Sequence, residues 1–97
     1  MFFQSKKPHH RGCYAVNTGL YVGEFLVYAK DNGLYYEFLS LPKMLVRAVP
    51  KKSFLTGLKN DIITYVAKLP TDVYSVCIAQ YNKSKTSTTT FIAPLSS

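Results

Sequence analysis

The stretch YVGEFLVYAKDNGLYYEFLSLP, residues 21–42, decides the fold class. At its centre, Asn32-Gly33 suits the positive φ angles of a two-residue type I′ turn, and both flanks are rich in β-branched and aromatic residues, so the stretch predicts a β-hairpin. With Asp31 and Leu34 closing the turn, Val27 faces Phe38, Ala29 faces Tyr36 and Phe25 faces Ser40 on the side turned to the core. The other side then carries Glu24, Leu26, Tyr28, Lys30, Tyr35, Glu37 and Leu39, with tyrosines among charges.

Upstream, GCYAVNTGLYV (12–22) continues the strand pattern, and Gly19 and Gly23 are places for a bend, so a kinked first strand is expected from about residue 13 to 29. Downstream, Pro42 allows a turn before MLVRAV (44–49), a third strand closed by Pro50. The segment PKKSFLTGLKNDIITYVAKLP (50–70) has helical period. Phe54, Leu58, Ile62, Tyr65, Val66 and Leu69 fall on one stripe, Ser53 or the preceding turn can cap it and Pro70 stops it, which predicts a helix over about 53–69. Apolar residues occupy both alternations of DVYSVCIAQY (72–81), the pattern of a central strand. The Thr-rich residues 88–93 predict a last edge strand, ended by Pro94.

These readings give an α+β fold in a single small domain, a mostly antiparallel sheet in the order β-β-β-α-β-β with one amphipathic helix packed on it. In element order and bent first strand it resembles the OB-fold, a partial barrel that often binds oligonucleotides. A plain antiparallel sheet with one helix on a face fits the same pattern. The chain divides into a basic N-terminal arm, 1–11, and the domain itself, 12–97, with its Thr-rich edge strand and tail.

At 97 residues one core is expected, and 47% apolar residues are enough to build it. Twelve Lys or Arg against five acids give a net charge of +7, a field that favours nucleic acid or an acidic protein surface. The first acid is Glu24 and the last is Asp72, so both ends of the chain are purely basic. Cys13 and Cys77 lie far apart inside apolar runs and read as reduced and structural. No apolar run approaches the ~18 residues of a membrane span. Phe2 and Phe3 precede the basic residues, the reverse of a secretory signal, so a cytoplasmic protein is expected, in a host cytoplasm or virion if it is viral.

No catalytic constellation emerges. The two histidines, His9 and His10, are adjacent and lack the spacing and further ligands of a Zn²⁺ site. No nucleophile motif, P-loop or Cys-with-His pattern is present, so neither an enzyme nor a cofactor is expected. The eight tyrosines supply flat amphipathic area suited to stacking on bases or to protein interfaces. The first expectation is therefore a nucleic-acid-binding accessory protein. Lys6, Lys7, Arg11, Lys51, Lys52, Lys83 and Lys85 would hold phosphates, and Tyr28 and Tyr35, beside Lys30, would stack on bases. The alternative is a small virus-encoded assembly or inhibitor protein that docks on a larger partner, or forms a homo-oligomer, through apolar anchors in its arms: Phe2 and Phe3 at one end, Phe91, Ile92 and Leu95 at the other.

Overall fold

The computed structural model describes residues 7–87 and 91–92, the side chains of residues 87, 91 and 92 excepted. In chain order its elements are β1 (Gly12–Val16), β2 (Phe25–Asp31), β3 (Tyr35–Leu41), β4 (Leu45–Pro50), α1 (Lys51–Lys59), β5 (Ile63–Lys68), α2 (Thr71–Ser87) and β6 (Phe91–Ile92). The fold is α+β. One open sheet runs in the order β5-β1-β2-β3-β4-β6; its first five strands are antiparallel, and β6 runs parallel to β4. Among the described residues β5 and β6 at the two edges do not pair, so the plain sheet, and not the OB-like partial barrel, is the architecture found.

The expected hairpin forms as β2 and β3, with a longer turn and a different register. Asn32, Gly33 and Leu34 make the turn, closed by the Asn32 N–H donating to the Tyr35 carbonyl at 2.8 Å. Gly33 takes φ +91°, a conformation costly for a residue with a Cβ. A bulge between Tyr28 and Lys30 then sets Val27 opposite Leu39 and Tyr28 opposite Phe38. One residue of slip moves side chains to the other face. Leu26, Tyr28, Tyr36 and Phe38 therefore share one face, Val27 and Leu39 the other, and Phe25 is exposed.

The kinked first strand is two strands. Residues 17–24 form a loop between β1 and β2, tied by the Val16 N–H to the Glu24 carbonyl and the Gly23 N–H to the Val16 carbonyl, both 3.0 Å. Gly12 opens β1 because a Cβ there would stand 2.9 Å from the His9 carbonyl oxygen.

The expected helix over 53–69 ends early. Asp61 adopts φ 60°, and the Ile62 N–H reaches the Gly57 carbonyl at 2.8 Å while the Asp61 N–H points to the Leu58 carbonyl at 3.5 Å. This is the bonding pattern of a Schellman cap, with Asp in the left-handed position that Gly usually fills. The β-branched and aromatic run after it, ITYVAK, pairs with β1 as β5. The expected strand over 72–81 is instead helix α2. Tyr74, Cys77, Tyr81 and Ser84 recur at steps of three and four and turn inward, with Asp72 in the first turn.

Side chains alternate across strands, so the two cores lie on opposite faces. On one, Phe54 of α1 packs among Tyr14, Tyr36 and Phe38, with ring centroids 5.2, 5.5 and 5.3 Å away. On the other, Cys77 and Tyr81 of α2 pack on Cys13, Val27, Leu39 and Val46. Each fully buried Leu or Phe contributes about 1.5–3 kcal/mol, which is what holds a nine-residue helix too short to persist alone.

Candidate nucleic-acid interface

Because neighbouring strands run antiparallel, the start of β1, the end of β2, the start of β3, and the ends of β4 and β5 all lie at one end of the sheet. That end is basic. Arg11 precedes β1, Lys30 lies near the end of β2, Lys51 and Lys52 open α1 directly after β4, and Lys68 ends β5. Lys7 joins them, close enough to Asp31 to favour its ionised form. Strands about 4.8 Å apart make this rim roughly 19 Å long from β5 to β4. Its acids are Asp31 and Asp72.

Asp31 organises the middle of the rim. Its carboxylate accepts from Lys51 Nζ at 2.9 Å and from the Gly33 N–H at 2.8 Å, and these bonds, with the Lys51 and Lys7 charges, hold its carboxyl below the usual range. Lys51 Nζ also lies 5.3 Å from the Tyr36 ring centroid, a cation–π contact. Lys30, Lys52 and Lys68 are exposed and make no ion pair among the described residues. Arg11 reaches across to donate to the Thr71 hydroxyl at the start of α2.

Of the residues expected at a binding surface, Lys7, Arg11, Lys30, Lys51 and Lys52 come together on this rim, with Tyr35, half-buried at the start of β3. Lys6 lies outside the described residues. Tyr28 is not a free platform: its ring packs edge-on against Tyr36 and Phe38, centroids 6.0 Å away in both cases. Lys83 is exposed on α2. Lys85 is committed inward, its Nζ 2.7 Å from buried Glu37. Lys68 was hidden from sequence reading because it fell within the expected helix; the Asn60-Asp61 pair, favourable for a left-handed cap, is the signal that would have released it.

Two carboxylates expected to share one face lie on opposite faces, since the bulge in β2 changes the register. Glu37 accepts from Tyr81 Oη, from Asn32 Nδ2 at 2.6 Å and from Lys85, on the α2 side. Glu24 accepts from Ser40 Oγ and from Arg47 at 3.0 and 3.2 Å, and pairs with Lys43 at 3.1 Å, at the other end of the sheet. Burial is the largest single influence on each and pushes both upward. The hydrogen-bonding partners together outweigh it, so both carboxyls titrate below their ordinary value. Each is saturated by its own partners, an arrangement suited to fixing structure rather than to exchanging protons with a substrate.

The described part of the N-terminal arm packs on the domain. The His9 ring packs at a tilt against Tyr65, centroids 4.7 Å apart, the His9 backbone N–H donates to Tyr14 Oη at 2.8 Å, and His10 lies edge-on to Tyr74 at 5.4 Å. Phe91 and Ile92, two of the expected apolar anchors, pair within the sheet against Arg47 and Ala48. Among the described residues, no helix is long and apolar enough to cross a membrane. Compared with protein-family models, curated proteins and solved structures, the chain matches none.

Proposed function

We propose that the protein is a non-enzymatic nucleic-acid-binding accessory protein that holds phosphates along the basic rim of its sheet. The observation that supports this reading is the convergence of Arg11, Lys30, Lys51, Lys52 and Lys68, carried by separate elements, on one end of the molecule. Backbone phosphates are met by point charges spread along a line, and the rim is such a line. Tyr35 at the start of β3 is the tyrosine placed to stack on a base there.

The test is binding of labelled single-stranded and duplex DNA and RNA at low salt. The variant Lys30→Glu/Lys52→Glu reverses two exposed rim charges and is expected to weaken binding about tenfold or more. Lys59→Glu, at the far end of α1, reverses a charge away from the rim and is expected to leave affinity nearly unchanged. No binding at low salt, or equal weakening by both variants, overturns the proposal.

A further inference from the structure

One edge of the sheet is covered by β6, whereas β5 at the other edge has no strand beyond it among the described residues. Five of its six residues are exposed, with Tyr65 at 41% and Val66 at 51%. Thr64, Tyr65, Val66 and Ala67 are uncharged, and their outward backbone groups form a ready template for another strand. Val66 is the extra residue where β5 bulges against β1.

From this edge we infer that the protein self-associates, β5 pairing with β5 of a second copy in antiparallel fashion about a two-fold axis near Tyr65 and Val66. The charge pattern selects that occupant. Antiparallel self-pairing lays Lys68 at the end of one β5 beside the end of the other where exposed Asp61 precedes the strand. Opposite charges then meet at both ends of the interface, and the two Lys68 side chains stand far apart; like charges directly opposite would destabilise the pair. A two-fold pairing is also self-limiting, since each copy has one such edge among the described residues. The two sheets become one, with the basic rims of the two copies facing opposite ways.

Sedimentation of the full chain without nucleic acid, across about 1 µM to 1 mM, is expected to show a monomer–dimer equilibrium. Val66→Glu places two carboxylates at the centre of the interface and raises the dimer dissociation constant about tenfold or more. Lys68→Glu weakens the dimer by setting Glu beside Asp61, and adding Asp61→Lys in the same chain restores it. Thermal melting of each variant separates lost association from lost folding. A chain that stays monomeric throughout, or a dimer indifferent to Val66→Glu and Lys68→Glu, overturns the inference. Because sedimentation is run without nucleic acid, its outcome is independent of the rim's affinity for phosphate, although Lys68 belongs to that rim.

Discussion

Glu37 is buried on β3, and Tyr81, Lys85 and Asn32 converge on it from α2 and the hairpin turn. It therefore joins the second helix to the sheet through a charge, and its partners decide its worth. Tyr81→Phe keeps the ring in the core and removes one donor to the carboxylate. A hydrogen bond to a charged group is worth about 1.5–3 kcal/mol, so Tm should fall by roughly 6–24 °C in a thermal melt. Glu24 and Glu37 also set the acid limb of stability. Both carboxyls titrate below their ordinary value of 4.5 when folded. The stability they confer is fully present above that value and is lost as pH falls through their lower folded values, because the unfolded state then binds more protons. Urea unfolding followed from pH 6 downward should show stability declining below about pH 4.5, and the decline should be shallower in Glu37→Gln.

Among the elements, the β2–β3 hairpin was legible because Asn32-Gly33 carries its own turn chemistry. Its register was not, since a bulge is set by what packs on each face and leaves no local signature. The same limit explains the helices. Phe54 and Leu58 announced α1, but Tyr65 and Val66 fell by chance on the continuing stripe and concealed β5. Residues 72–81 satisfy period two and period 3.6 alike; the choice was made by the core on the α2 face, where Tyr74, Cys77 and Tyr81 are needed together. Val76 tests this element directly. It is 67% exposed on α2, so Val76→Ala gives up little burial and gains helix propensity, raising stability by about 0.5 kcal/mol in a denaturant titration. On a central strand the same change would lower stability.

Across the whole molecule, the excess of positive charge was plain in the composition, but its arrangement depended on topology. Lys7, Arg11, Lys30, Lys51 and Lys52 are scattered over more than forty residues of sequence, and antiparallel pairing gathers them with Lys68 at one end of the sheet. The tyrosines read differently: Tyr14, Tyr21, Tyr36 and Tyr81 build the two cores, so their abundance reflects packing more than a stacking surface. Lys85 and Arg47 are likewise spent on buried carboxylates. Lys30, Lys52 and Lys68 are thus the rim charges that folding leaves exposed together. The rim's role is tested most directly by the dependence of single-stranded oligonucleotide affinity on salt. With about four to six phosphates neutralised, log affinity should fall against log salt with a slope of about −3 to −4, and Lys30→Glu/Lys52→Glu should flatten that slope by at least ~1. A slope near zero, or one unchanged in the rim variant, would contradict the account.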